Sequence, residues 1–142
     1  MSEHKSKKSN YISSKESARI SRFNRRLTKR LEKQRNRKKA NPDTYMTKMK
    51  DSGNVVEFDN VCSYFFTDIG TVKAVDGASF VVPKCSTVGI VGESGCGKSV
   101  TSLSLMQLLQ RPHGQTVGGE IRFNVGEGDS GEAMDIAKAP HE

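Results

Sequence analysis

The sequence has no tryptophan and few aromatics, six Phe and three Tyr, so it lacks most of the large side chains that fill the core of a big domain. With 34% hydrophobic residues in a chain of 142, one modest domain is the ceiling and two complete ones are excluded. Long apolar runs are also missing. Stretches such as Phe80-Val81-Val82 extend over a few residues, against the roughly 18 to 20 that a membrane-spanning helix requires. The N-terminus, MSEHKSKKSNYISSKES, has charge but no apolar centre and no small-residue cleavage site, so it does not read as a secretory signal and a cytosolic location is expected. The cysteines, Cys62, Cys85 and Cys96, form no C-x-x-C pair and have no His at ligand spacing. Neither a disulfide framework nor a zinc site is suggested, and reduced thiols are expected.

Acidic residues are scarce in one part only. Residues 1 to 53 hold seventeen Lys plus Arg against five Asp plus Glu, whereas residues 54 to 142 hold six against eleven. The first segment has no Val and a single Phe, too little apolar surface to offset its chain entropy, so it reads as a mostly disordered basic extension. A domain spanning 54 to 142 follows, with the boundary at Asp51-Ser52-Gly53. Within the extension, Ile20, Phe23, Leu27 and Leu31 fall on one helical stripe among Arg and Lys, which predicts an amphipathic helix within 14 to 40. Ser13-Ser14-Lys15-Glu16 supplies a capping box and Asn41-Pro42 a stop. Its readings are a solvated tail, an anionic membrane surface, or phosphate contacts with nucleic acid. Sparse stacking aromatics, Tyr11, Phe23 and Tyr45, weigh against nucleic acid.

The informative segment is Thr87-Val88-Gly89-Ile90-Val91-Gly92-Glu93-Ser94-Gly95-Cys96-Gly97-Lys98-Ser99, which contains G-x-x-x-x-G-K-S at Gly92, Gly97, Lys98 and Ser99. Val88, Ile90 and Val91 predict a short buried strand of a parallel sheet before it. Ser99 to Gln110 predicts a helix after it, with Val100, Leu103, Met106 and Leu109 on one face and Pro112 as its end. In such a loop, backbone N–H groups converge on phosphate at a helix N-terminus, and Gly92, Gly95 and Gly97 keep side chains out of the way. Glu93, Ser94 and Cys96 contribute main chain to the cradle. Lys98 is expected to reach the β and γ phosphates of ATP, and the Ser99 hydroxyl to ligate Mg²⁺. Cys96 has two readings, a small filler or an oxidation-sensitive thiol near Lys98.

Val72-Lys73-Ala74-Val75-Asp76-Gly77-Ala78-Ser79-Phe80, then Gly89 to Thr101, resembles the start of the ATP-binding subunit of ABC transporters, in particular the oligopeptide and dipeptide importers. Gly118-Gly119-Glu120-Ile121-Arg122-Phe123 is similar to the strand that returns after the first helix in that group. The resemblance covers about residues 54 to 142. It implies an α/β fold of the P-loop NTPase class, an antiparallel β subdomain followed by the start of the parallel core sheet, here truncated and carrying a basic extension. Val55 to Phe58 and Ser79 to Val82 are β-rich runs that suit such a subdomain. It also implies an aromatic that stacks on adenine, aligned with Phe65, with Tyr64 and Phe66 as alternatives and core packing as the competing reading. Permease subunits, a second ATP-binding subunit and a peripheral place on the cytoplasmic face of the membrane follow by resemblance alone.

The departures are specific. Relatives turn before the loop with Lys-Gly-Glu, where this chain has Lys84-Cys85-Ser86 and lacks the glycine that suits a positive φ. Val100 stands where many members have a Thr hydroxyl, leaving only its N–H for the α phosphate; the peptide-importer group shares this Val-Thr ending. The sequence contains no glutamine loop, no L-S-G-G-Q signature, no apolar strand ending in Asp-Glu and no switch histidine. The family is an ATPase coupled to transport, but no catalytic residue of that reaction can be assigned in this chain. The alternative reading is therefore a nucleotide-binding remnant whose basic arm contacts lipid or nucleic acid.

Overall fold

Asn54 to Thr67 and Gly70 to Pro83, both rich in β-branched and aromatic residues, pair across the two-residue connection Asp68-Ile69 to form a long hairpin. The computed structural model describes residues 12 to 36 and 41 to 140. Its strands are β1 (Met46–Lys48), β2 (Asn54–Thr67), β3 (Gly70–Pro83), β4 (Gly114–Asn124) and β5 (Glu132–Asp135). Its helices are α1 (Ser14–Arg35) and α2 (Lys98–Leu105), with a 3₁₀ turn at Pro42–Thr44. The strands form one sheet in the order β1-β5-β4-β2-β3, antiparallel at every pairing.

The β-rich runs at Val55 to Phe58 and Ser79 to Val82 face each other in the hairpin, with Val56 opposite Val82 and Phe58 opposite Phe80. The Phe58 and Phe80 rings stack at 4.3 Å between centroids. Val56, Phe58, Val61 and Ile121 make the buried core, flanked by Leu105 of α2 and Ile136. A bulge at Asn60, with φ of 51°, breaks the register after Phe58. Gly119 crosses it so closely that a Cβ there would lie 2.3 Å from the Asn60 carbonyl oxygen. β1 lies on the N-terminal side of the expected boundary at Asp51-Ser52-Gly53, yet it pairs with β5, Thr47 opposite Ala133.

α1 starts at Ser13, whose Oγ accepts the Glu16 N–H at 3.3 Å, and carries Lys33 and Arg35 in its last turn, where the helix dipole favours cations. Residues 37 to 40 of the expected helix lie outside the described residues. The side that faces the sheet mixes polar residues into the expected apolar stripe. Ile20, Leu27 and Leu31 are half-buried and Asn24 and Thr28 are buried, whereas Phe23 is 66% exposed. The reason is what lies beneath: the end of the β2–β3 hairpin presents carbonyls that need donors. Asn24 Nδ2 donates to the carbonyls of Thr67 (2.8 Å) and Gly70 (3.2 Å), Ser17 Oγ donates to Asp68 O, and Ser21 Oγ donates to Asp68 Oδ1 at 2.7 Å. At the other end Gln115 Nε2 donates to Glu32 Oε1 at 2.6 Å.

Two expectations around the glycine loop are corrected. Val88, Ile90 and Val91 form no strand, and they are exposed, Val91 to 91%. A buried parallel strand needs paired neighbours, and among the described residues every strand is committed to the antiparallel sheet. The helix after the loop runs only over Lys98–Leu105; Gln107, with φ of 59°, turns the chain out of it. Its buried side is Thr101 and Ser104, because Ser104 Oγ meets Ser63 Oγ of β2 at 2.7 Å. Met106 is exposed, and Leu109 is buried beyond the helix end.

Candidate functional site

β3 ends at Pro83, and the chain turns through Lys84 and Cys85, whose φ is 55°. That is the position where the resemblance led to the expectation of a glycine; here a side chain bears the left-handed conformation. From there the chain crosses to Gly92 and enters the turn that leads into α2.

The loop is built on backbone conformations that favour glycine. Gly95 has φ of 81° with open space where a Cβ would point. Gly97, the residue that caps α2, has φ of 94°, and a Cβ there would lie 2.5 Å from the Ala74 carbonyl oxygen of β3. This close approach seats α2 against the sheet edge. A Cβ on Gly92 would lie 2.6 Å from Cys96 Sγ. The loop is closed by the Cys96 N–H, which donates to the Glu93 carbonyl at 3.3 Å. No side chain caps α2. Its first N–H groups have no intrahelical acceptor, so they form a donor-rich, partly positive end.

That end opens on a cleft of about 450 Å³ lined by Ala74, Ser94, Gly95, Gly97, Lys98, Ser99 and Val100. Lys98 is its one charged lining residue. Lys98 Nζ donates to the carbonyls of Gly92 (2.7 Å) and Glu93 (2.6 Å) and lies 3.5 Å from Cys96 Sγ. Thr101 Oγ1 donates to the Gly97 carbonyl at 2.9 Å, which holds the first turn of α2 on the loop. The residues fit a polyphosphate: a concave turn in which Gly95 and Gly97 leave main chain uncovered, a helix start without a side-chain cap, one ammonium, and Ser99 in the same wall.

The fold brings Ser94, Gly95, Gly97, Lys98, Ser99 and Val100 to the cleft, and places Gly92, Glu93 and Cys96 in the turn that Lys98 closes. It does not bring Phe65 there. Phe65 pairs with Val72 and Gly114, and its ring lies where a Cβ on Gly114 would be 2.8 Å from Cε1. The alternatives are engaged as well. Phe66 is buried near α1, and the Tyr64 hydroxyl donates to Asp76 Oδ1. That bond, with help from Lys73, holds the Asp76 carboxyl below its usual range and pushes the Tyr64 phenol up. Ala74 is the lining residue that comes from a distant part of the sequence. Its signal there is the Ala74-Val75-Asp76-Gly77 run of β3, whose backbone Gly97 approaches.

No family model and no solved structure matches the chain. Curated relatives do. The oligopeptide transport ATP-binding protein AppD of Bacillus subtilis is 46% identical over 69 residues, 49% of this chain and 21% of that protein. The dipeptide transport ATP-binding protein DppD of the same organism is 49% identical over 69 residues, again 49% and 21%. A probable peptide ABC transporter ATP-binding protein of Sinorhizobium fredii is 46% identical over 61 residues, 43% of this chain and 18% of that protein. The chain thus spans about a fifth of the length of the relatives it matches. Over about half of its own length, this chain is homologous to the ATP-binding proteins of oligopeptide and dipeptide ABC transporters.

Proposed function

We propose that this chain supplies the phosphate-binding part of an ATP-binding subunit that energises a peptide-type ABC transporter. The observation that carries the reading is the cleft at the uncapped start of α2, where glycines at 92, 95 and 97 expose main chain and Lys98 is the one charge. The N–H groups from Gly95 to Val100 would take the phosphate oxygens of ATP. Lys98 Nζ would exchange its bonds to the Gly92 and Glu93 carbonyls for β and γ phosphate oxygens. The exchange is close to neutral in hydrogen-bond count and gains a charge-assisted pair. Ser99 Oγ would hold Mg²⁺, which when bound offsets charge between the β and γ phosphates. Phe65, which lies outside the cleft lining, is proposed with the family as the residue that stacks on adenine. Permease subunits, a second ATP-binding subunit and a cytoplasmic-face location are proposed with the family. Among the described residues, no helix is long and apolar enough to cross a membrane.

The test is equilibrium titration of the chain with Mg·ATP, with Lys98→Ala beside it. Losing charge-assisted bonds worth about 2 to 3 kcal/mol should weaken binding on the order of a hundredfold. Affinity unchanged by the substitution, or no retention of ATP by the unaltered chain, defeats the reading. Phosphate release measured alongside separates binding from hydrolysis, for which no residue of this chain is assigned.

A further inference from the structure

The polar face that pins α1 to the hairpin leaves its opposite face fixed in orientation and turned outward. On that face Lys15, Arg19, Arg22, Arg26, Arg30 and Lys33 follow one another at spacings of four, three, four, four and three, all exposed. At 3.6 residues per turn and 1.5 Å per residue, this is one continuous stripe about 27 Å long. Among the described residues none of the six has a salt-bridge partner. Glu32, the acidic residue in the last part of the helix, is turned inward to Gln115 and Arg111. Only Glu16 adds an exposed carboxylate to the helix. At the edge of the stripe, one turn from both Arg19 and Arg26, Phe23 is 66% exposed.

From this arrangement we infer that the outward face of α1 is a docking surface for the anionic headgroups of a lipid bilayer. Two features select a flat anionic surface over a nucleic acid. The exposed cations of α1, Arg25 and Lys29 included, lie on its outward side rather than around it, which suits a plane. Phe23 offers an apolar ring where a bilayer has acyl chains, and it is the single aromatic of the helix, so stacking on successive bases has no platform. The inference uses none of the residues assigned to ATP and stands or falls apart from that reading.

The experiment is co-sedimentation of the full chain with vesicles of phosphatidylcholine containing about 30 mol% phosphatidylserine, and with phosphatidylcholine alone, at low and high salt. Each cation near an anionic surface is worth roughly fivefold in affinity, so Arg19→Gln, Arg26→Gln and Arg30→Gln together should weaken binding on the order of a hundredfold. These side chains are exposed, so circular dichroism should show an unchanged fold. Phe23→Ala should weaken binding several-fold at low and high salt alike, because its apolar contribution is not screened. Asn24→Ala, which unhooks the helix without touching its charge, should weaken binding less than the triple substitution does. Equal binding to vesicles without phosphatidylserine, no effect of the triple substitution, or tighter binding to duplex DNA at the same salt would overturn the inference.

Discussion

Replacing Gly97 with alanine tests the contact that seats the loop. Two costs are separable because Gly95 bears one of them alone. Both glycines have positive φ, 81° and 94°, so an alanine at either position carries the strain of a left-handed backbone, about 1 to 2 kcal/mol. At Gly95 the new methyl meets nothing within 4 Å; at Gly97 it would lie 2.5 Å from the Ala74 carbonyl oxygen. That neighbour is main chain of β3, at a bulge flanked by Lys73 and Val75, which pair with Tyr64 and Ser63, so it cannot swing aside as a side chain would. An overpacking cost of about 1 to 3 kcal/mol is therefore added only for Gly97→Ala. At about 3 to 4 °C per kcal/mol for a domain of this size, its melting midpoint should fall about 3 to 12 °C below that of Gly95→Ala. The assay is thermal unfolding of both variants, followed by ATP titration at a temperature where both are folded. If Gly97→Ala is no less stable than Gly95→Ala, the seating of α2 on Ala74 is not a real constraint.

Further outcomes follow from other sites. Glu57, 2% exposed, accepts the Lys50 and Asp51 N–H groups at 2.9 Å each and Asn54 Nδ2 at 3.0 Å, so its carboxylate ties the β1–β2 connection to the sheet. Burial pushes that carboxyl up, but the bonds from Asn54, Lys50 and Asp51 and the nearby Arg122 outweigh it and hold it below its ordinary 4.5. The folded state thus binds its proton less readily than the unfolded chain. Stability from Glu57 is present above pH 4.5 and is lost as pH falls through the lowered folded value. Glu57→Gln should cost about 2 kcal/mol near neutral pH and flatten part of the acid limb of a stability curve measured by urea unfolding. An unchanged limb would refute the assignment. Cys85→Gly relieves a left-handed side chain and should raise stability by about 0.5 to 1 kcal/mol despite the entropy of glycine; a loss would show that the Cys85 side chain contributes more than its strain costs.

The parts that were legible in the sequence are those set by local chemistry. A Ser three residues before a Glu caps a helix wherever the chain goes, and α1 begins there. β-branched runs facing across a short turn pair with each other, and the hairpin places Val56 and Phe58 against Val82 and Phe80. A missing glycine before the loop marked the position that is strained, because positive φ is a property of one residue. The sequence alone therefore determined where the glycine turn, the start of the helix after it and the β-rich region before it lie.

Tertiary structure decided what each element faces. Ile20, Leu27 and Leu31 of the α1 stripe are half-buried and Phe23 is not, and the surface below the helix offers hairpin carbonyls that Ser17, Ser21 and Asn24 turn inward to satisfy. Val88 to Val91 has the composition of a buried strand and is exposed, since strand formation requires a paired neighbour that composition does not reveal. Phe65 meets Gly114 because β4 passes beside β2 at that register. Local conformation depends on neighbours along the chain and can be read from them. Burial depends on neighbours across it, and those exist only once the sheet has assembled.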